Sequence, residues 1–219
     1  MKVTYISHSG FLIETENCLF LFDYYEGKIP PLSQEKPLFI FVSHWHSDHF
    51  NPEIFSIRHE KVHYILSHDT RKHLPAGISP ENLCFMKPEE KLDFTLEDGN
   101  EHFTVETLKS TDCGVAFLLY YRRKYLYHAG DLNWWVWQGE TKQYNSNMTA
   151  NFLRYTKPLE HLNIWAAFLP LDPRQEEWYS KGFLHILEHA HVKYAFPMHF
   201  WKDYSVISRF LSSSEGSKY

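Results

Sequence analysis

The chain has 219 residues, 43% of them hydrophobic and 17% aromatic, which is enough apolar material to fill the core of one domain. The formal net charge is −5 and the longest basic run is Arg122-Arg123-Lys124, so nucleic acid is not an expected partner. No apolar run approaches the length of a membrane span, and the three cysteines are too widely spaced for a disulfide framework. These properties predict a single domain over residues 1–219 in the reducing cytoplasm, with free thiols and no membrane partner.

The first part of the chain predicts strands around one short helix. Four short strands are predicted at residues 3–6, 11–15, 18–23 and 62–66. Leu38–Val42 is apolar throughout, which is typical of a strand buried on both faces. Pro52 follows Asn51, a possible N-cap, and predicts a short helix that runs to about Ile57.

The second part predicts more strands and then helices. Residues 93–127 resemble a run of strands with turns at Asp98-Gly99-Asn100 and at Arg122-Arg123. Helices are expected at residues 147–162 and 175–191, with a strand at residues 164–169 between them. This order predicts an α/β (α+β) fold in which two β-rich halves pack face to face with helices outside, a four-layer αββα sandwich.

Potential metal ligands are most concentrated in His44-Trp45-His46-Ser47-Asp48-His49, directly after the buried strand. Open α/β sheets place their sites at the carboxyl ends of strands. Imidazole suits zinc, iron and manganese, and a carboxylate adds affinity for harder ions. Four donors within six residues cannot all reach one tetrahedral ion without severe strain, so the stretch predicts two adjacent ions. The alternative is a His-rich surface turn in a chain that has fifteen histidines.

This His-x-His-x-Asp-His pattern resembles the signature of the metallo-β-lactamase fold superfamily. Further segments resemble other motifs of that fold in the same order: Tyr5–Glu14, Leu19–Asp23, Tyr127–Asp131 and Pro197–Phe200. The similarity runs from residue 3 to about residue 201. Within the superfamily the chain most resembles small single-domain hydrolases related to the ascorbate-phosphate lactonases.

The resemblance implies how the ligands divide between two divalent metal ions. The first ion would bind His44 and His46, the second would bind Asp48, His49 and His199, and Asp131 would bridge them. A carboxylate has two oxygens and can hold two cations a few ångströms apart. The alternatives are an ordinary turn residue at position 131 and a packed or capping histidine at position 199.

One expected ligand is missing, because the loop Lys109–Gly114 lacks the third histidine that the superfamily usually supplies to the first ion. Asp112 is the strongest chemical substitute, and its alternative role is that of a loop cap or hydrogen-bond acceptor. Ser110 aligns with the missing histidine, but a hydroxyl is a poor ligand. Cys113 could bind zinc as a thiolate or be a small buried residue. The first site is therefore expected to be weaker, and to favour Mn²⁺ or Fe²⁺ over Zn²⁺.

Other residues are candidates for the surroundings of the metals. His8 could form a hydrogen bond near the ions or be a packed histidine, and Asp23 could fix the tautomer of a ligand histidine or cap a turn. Trp134 lies in a tryptophan-rich segment that could form the wall of a pocket or anchor the chain to the core. Arg174 could bind an anionic group of the substrate or pair with Asp172.

The leading hypothesis is a metal-dependent hydrolase that uses a metal-bound hydroxide to attack an ester, lactone or phosphodiester. Asp48 would orient the nucleophile while it binds metal, and the cofactors would be two divalent ions, zinc first, with manganese or iron as alternatives. The substrate would be a small molecule, anionic if Arg174 binds it. The second hypothesis is a non-hydrolytic metal- or ligand-binding module with a degraded first site. Nuclease action fits the net charge of −5 less well, because nucleic acid is itself negatively charged. Diiron redox chemistry would require a flavin domain.

Overall fold

The computed structural model describes residues 1–78, 83–96 and 102–219. Its described residues form twelve strands: β1 Lys2–Ser7, β2 Gly10–Glu14, β3 Leu19–Phe22, β4 Leu38–Val42, β5 Val62–Ser67, β6 Leu83–Met86, β7 Lys91–Thr95, β8 His102–Lys109, β9 Val115–Tyr121, β10 Lys124–His128, β11 Asn163–Pro170 and β12 His191–Met198. Three α-helices follow one another in the second half: α1 Lys142–Thr156, α2 Lys181–His189 and α3 Ser205–Leu211. Short 3₁₀ helices lie at Pro52–Ser56, His68–His73, Lys157–Leu159, Pro173–Trp178 and Gly216–Lys218.

The strands form two six-stranded sheets, each in a simple order along the chain. The first sheet runs β1-β2-β3-β4-β5-β6, with β3 to β6 parallel to one another. The second runs β12-β11-β10-β9-β8-β7, in which β10, β11 and β12 are parallel and β9 is antiparallel to both neighbours. Strands β8, β10, β11 and β12 therefore point the same way, and their carboxyl ends share one edge.

Aromatic residues fill the space between the sheets. Phe22 stacks on Phe41 at 4.6 Å, and Phe41 meets Phe117 of the second sheet edge-on at 5.2 Å between ring centroids. Their alternation along the strands leaves leucines and isoleucines on the opposite face of the first sheet. That face packs against Ile54 of a 3₁₀ helix, and the outer face of the second sheet packs against the three α-helices, with Phe152 of α1 in the core.

The expected fold class is confirmed: two β-rich halves pack face to face, with helices outside. Several boundaries differ. Helix α1 begins at Lys142 because the hydroxyl of Thr141 accepts the N–H of Tyr144 as an N-cap. The helix expected at residues 175–191 is split, and its last residue starts strand β12, which the sequence did not predict.

Strand β12 was not predicted from the sequence because it is an edge strand, which lacks the pattern of a buried strand. Its residues alternate poorly between buried and exposed, and it contains Pro197, which an edge strand tolerates. The turn expected at Asp98-Gly99-Asn100 lies outside the described residues. Among the residues that the structure describes, none of the helices has the length and apolar character needed to cross a membrane.

Candidate metal centre

Ligand-type side chains from both sheets converge at one edge of the sandwich, in two groups. The first group comprises His44, His46, Asp112 and Asp131, and the second group comprises His8, Asp48, His49 and His199. Within each group the potential ligand atoms lie within 4.8 Å of one another. The convergence follows from the topology, because the strands that precede these residues are parallel and end at the same edge.

The first group joins a strand end of the first sheet to two loops of the second. Nε2 of His44 lies 3.6 Å from Oδ2 of Asp131, and Nδ1 of His46 lies 3.3 Å from Oδ2 of Asp112. Asp112 thus lies beside His46 and within reach of a cation in the first group. The side chains of His46 and Asp112 are 35% and 40% exposed, so the first group opens toward solvent.

The second group is more deeply enclosed. Nε2 of His49 and Nε2 of His199 lie 3.1 and 3.3 Å from Oδ1 of Asp131, and each lies 3.9 Å from Oδ2 of Asp48. Asp131 therefore faces both groups, with Oδ2 toward the first and Oδ1 toward the second. This is the arrangement that a bridging carboxylate needs. His8, which the sequence left open between two roles, also belongs to this group.

A buried carboxylate behind the groups fixes the orientation of two imidazoles. Nδ1 of His49 donates to Oδ2 of Asp23 at 2.8 Å, which leaves Nε2 free to bind a cation. The hydroxyl of Ser43 donates to the same Asp23 oxygen at 2.6 Å and can accept the Nδ1–H of His44 at 3.0 Å. Asp23 therefore has the orienting role that its position at a strand end predicted.

A second buried carboxylate, that of Asp172, fixes the orientation of the His199 imidazole. Oδ2 of Asp172 lies 2.9 Å from Nδ1 of His199, again leaving Nε2 free. Asp172 follows strand β11 and accepts two contacts of 3.0 Å from Nε of Arg174. The sequence signal for Asp172 is the same as for Asp23, because each is an acidic residue that follows a buried strand. From the sequence alone, Asp172 is predicted only as a partner of Arg174.

The absence of hydrogen bonds at several buried atoms of the two groups is consistent with the binding of cations. Five buried atoms of the two groups form no hydrogen bond, although they lie close to one another or to Asp48: Nε2 of His8, His44, His49 and His199, and Oδ1 of Asp131. Buried polar atoms without hydrogen bonds are costly, and five of them directed into one region indicate a ligand that accepts lone pairs. A cation is such a ligand, because each of these atoms can offer it a lone pair.

The electrostatics of the protein without ions point the same way. Burial, together with the neighbouring His49, lowers the pKa of His44 to about 3, so this imidazole is neutral. Burial and the charge of Asp131 raise the pKa of Asp112. Burial alone would also raise the pKa of Asp131, but His49 and His199 outweigh it and hold that pKa well below its usual range. Burial alone would lower the pKa of His49, but Asp131 and Asp23 outweigh it and raise that pKa well above its usual range. A cation between Asp112 and Asp131 would supply the positive charge that this proton otherwise supplies.

Two glycines allow the loops of the second sheet to approach the ligand strand this closely. Gly114 and Gly130 have φ angles of +63° and +50°, and a Cβ there would lie 2.1 Å from the carbonyl oxygen of Ser43 and 2.6 Å from its Cβ, respectively. Neither contact is possible for a larger residue without movement of the backbone. The glycine before Asp131 is therefore what allows that carboxylate to reach the groups from the first sheet.

A cavity of about 200 Å³ opens beside the first group. Its wall includes Asp112 and Asp131, the indoles of Trp135 and Trp137, and Arg174. The two indoles are parallel within 3° and 5.8 Å apart, and they form a rigid apolar surface.

Of the two residues predicted to bind substrate, Arg174 lines the cavity and Trp134 does not. Trp134 corrects the expectation, because its indole N–H donates to Thr149 and its ring stacks on Phe152 of α1, so it anchors its segment to the core. Arg174 does line the cavity, with its side chain 49% exposed, although its guanidinium also pairs with Asp172.

The remaining candidates of the loop after β8 lie outside both groups. The hydroxyl of Ser110 accepts the N–H of Asp112 at 3.1 Å and so shapes the turn that presents this carboxylate. Burial raises the pKa of the Cys113 thiol, which disfavours a thiolate ligand. The buried imidazole of His128 has partners for both nitrogens, the carbonyl of Ser9 and the N–H of Gly130, so it has no nitrogen left for a cation.

The chain matches no family model and no curated protein. Solved structures do match most of it. A protein from Parabacteroides distasonis, described as a metal-dependent hydrolase, is 16% identical with a TM-score of 0.60, over 97% of this chain and 89% of that chain. Igni18, a metallo hydrolase from Ignicoccus hospitalis, is 16% identical with a TM-score of 0.55, over 90% and 81% of the two chains. The metallo-β-lactamase fold protein YhfI from Bacillus subtilis is 12% identical with a TM-score of 0.56, over 89% and 79%.

These similarities are structural, and at such identities they define the fold. The chain has the metallo-β-lactamase fold, as the order of its motifs predicted. Its two groups of His and Asp side chains lie at the carboxyl ends of the strands, where their geometry could hold metal ions.

Proposed function

We propose that this protein is a hydrolase that depends on two divalent metal ions held by the first and second groups. The observation that carries the proposal is the set of five buried atoms that form no hydrogen bond and point into one region from separate segments of the chain. A purely structural cluster of histidines would be expected to satisfy its nitrogens within the protein, as His128 does.

When bound, two such cations acidify a water molecule and neutralise negative charge that develops on the attacked group. We assign Asp48 the catalytic role among the protein groups. Its side chain is 21% exposed, whereas those of His49 and His199 are almost fully buried, so Asp48 can accept a hydrogen bond from the attacking water. Asp23 and Asp172 keep the ligand imidazoles in the tautomer with a free Nε2.

The cavity walls support a small-molecule substrate with a planar or apolar part. Trp135 and Trp137 would exclude water from one side, and Arg174 could bind a carboxylate or phosphate at the rim. We therefore propose an ester, lactone or phosphodiester substrate, with an anionic group near Arg174. The likeness to ascorbate-phosphate lactonases remains part of this proposal.

The choice of metal follows from the donors. Imidazole and carboxylate ligands suit Zn²⁺, Mn²⁺ and Fe²⁺, and the carboxylate of Asp112 shifts the first group toward the harder ions. The alternative of a non-hydrolytic module was motivated by a degraded first site. The position of Asp112 beside His46 supports an intact first site and so favours the hydrolase over that alternative.

The test combines metal content with a substrate panel. Protein stripped of metal and reloaded separately with Zn²⁺, Mn²⁺ or Fe²⁺ under anaerobic conditions should bind close to two ions per chain by elemental analysis. It should also hydrolyse at least one of an aryl ester, a lactone and an aryl phosphodiester. Asp131→Asn, which keeps the shape of the bridging residue, should lose both properties. Two bound ions without hydrolysis of any class would favour the binding module instead.

A further inference from the structure

We propose that His8 is a protein ligand of the second cation, so that protein donors close the second site and the first site keeps the position that exchanges with water and substrate. The inference rests on the proposed metal centre. It extends that centre by a residue from the turn between β1 and β2, which the family signature does not include.

The position of His8 supports this role directly. Its side chain is buried, and Nε2 lies 3.4 Å from Oδ2 of Asp48, within the same 4.8 Å group as the ligand atoms of His49 and His199. The His8 ring lies 4.3 Å from the ring of His199 and 4.5 Å from that of Trp201, measured between centroids. The imidazole is thus held from two sides with Nε2 directed at the second group.

His128 shows what a packed histidine looks like in the same protein. Both of its nitrogens have hydrogen-bond partners, Ser9 at 2.9 Å and Gly130 at 3.2 Å. Nε2 of His8 is also buried but forms no hydrogen bond, and the carboxylate of Asp48 lies 3.4 Å from it. A neutral imidazole has one donor and one acceptor nitrogen, so a buried nitrogen without a hydrogen bond calls for a ligand.

The backbone also holds His8 in an uncommon conformation. Its φ angle is +49°, in the left-handed region that favours glycine and asparagine. The N–H of His199, itself at φ +63°, donates to the carbonyl of His8 at 3.2 Å and ties the two turns together. This hydrogen bond between the two turns holds His8 beside His199, whatever the cost of its backbone conformation.

The consequence is an unequal pair of sites. The second cation would have three imidazoles and the carboxylates of Asp48 and Asp131, whereas the first would have two imidazoles and two carboxylates. The first group is also the one that is partly exposed and borders the cavity through Asp112 and Asp131. The second ion should therefore bind more tightly, and the first should exchange and receive the substrate.

Two variants of His8 test this without disturbing the turn. Glycine and asparagine both accept a positive φ angle, and asparagine retains an N–H that can reach toward Asp48. Metal-free wild type, His8→Gly and His8→Asn are titrated with Zn²⁺ in competition with a chromophoric chelator. The matched control is His161→Gly, because His161 is an exposed histidine at φ +63° that belongs to neither group.

We expect wild type and His161→Gly to bind one ion tightly and one more weakly. Both His8 variants should lose at least about tenfold in affinity for the tighter ion. Adding imidazole should restore tight binding in His8→Gly, by filling the vacated volume, while it competes for Zn²⁺ in wild type. X-ray absorption of the protein with one zinc equivalent should count one imidazole fewer in His8→Asn.

The outcomes separate this inference from the proposed function. Unchanged affinity for both ions in His8→Gly and His8→Asn, with no effect of imidazole, would overturn the role of His8 and leave the metal centre intact. Failure of wild type itself to bind Zn²⁺ would overturn the metal centre and the inference together. Thermal unfolding of the metal-free variants shows whether each is folded, so that lost binding is not mistaken for lost structure.

Discussion

Nδ1 of His49 lies 2.8 Å from Oδ2 of Asp23, although 26 positions separate them along the chain. The parallel pairing of β3 with β4 explains this contact, since both strands end at the same edge. Asp23 also accepts the backbone N–H and the hydroxyl of Ser43, whose oxygen lies 3.0 Å from Nδ1 of His44. One buried carboxylate therefore orients an imidazole in each metal group.

Asp23→Asn should lower the affinity for metal by roughly 10- to 100-fold, because an amide that donates to Nδ1 of His49 would move the proton to Nε2. Both ions should be affected, since the Ser43 contact reaches His44 as well. The measurement is competition with a chelator. Asp93→Asn, on exposed strand β7, is the matched control and should leave both affinities unchanged. If Asp23→Asn bound both ions as wild type does, the orienting role would be wrong.

Asp112→Ala should release the first ion and leave the second bound, because Asp112 faces His46 and only the first group. Asp112→His should keep two ions, since it replaces one ligand by another. Ser110→Ala should retain both ions and lose about 1 kcal/mol of stability, from the hydrogen bond that its hydroxyl accepts. Elemental analysis after dialysis gives the stoichiometry. If Asp112→Ala retained two ions, Asp112 would not be a metal ligand and would only shape its loop.

Gly130→Ala tests the close approach of the two sheets. The new Cβ would lie 2.6 Å from the Cβ of Ser43, at a φ angle of +50°, so the loop that carries Asp131 must shift. We expect a loss of roughly 2–4 kcal/mol in the free energy of unfolding, together with weaker metal binding. Gly139→Ala is the control, because nothing lies within 4 Å of its added Cβ. Equal stability of the two variants would show that the backbone adapts at Gly130 without cost.

The sequence pointed to most side chains of the two groups because they follow strands of recognisable pattern. His44 to His49 come directly after the apolar strand Leu38–Val42, and Asp131 and His199 follow β10 and β12 in the second sheet. Asp112 could be proposed by its chemistry, since its loop contains one carboxylate and no histidine, while Ser110 and Cys113 stayed as alternatives.

The residues that the sequence left undecided depend on contacts between distant segments. His8 could equally be a packed histidine until its Nε2 is seen beside Asp48. Trp134 lies in a segment without regular structure, where no periodicity separates the cavity wall from the core. Its neighbour Trp135 lines the cavity, while Trp134 packs against Phe152, a residue of a helix further along the chain.

Arg174 connects the cavity to the metal centre, and its substitution tests whether the substrate is anionic. Its guanidinium pairs with Asp172, which holds His199, and lies 4.7 Å from the ring centre of Trp201, while its side chain also borders the cavity. The Arg174 side chain is half exposed, whereas the carboxylate of Asp172 is buried. The N–H groups of the guanidinium that do not contact Asp172 could bind a phosphate or carboxylate group.

Millimolar phosphate should raise the melting temperature of the wild type and should raise that of Arg174→Ala much less, because binding to the native state stabilises it. Arg174→Lys should recover part of the effect, since a point charge lacks the planar fork. With a substrate in hand, Arg174→Ala should raise KM by about 30-fold, the equivalent of roughly 2 kcal/mol for a charge-assisted contact, and change kcat less. Because metals also bind phosphate, all variants must be compared at equal metal content. Equal stabilisation of wild type and Arg174→Ala by phosphate would make Arg174 a partner of Asp172 alone, and the proposed anionic group of the substrate would lose its support.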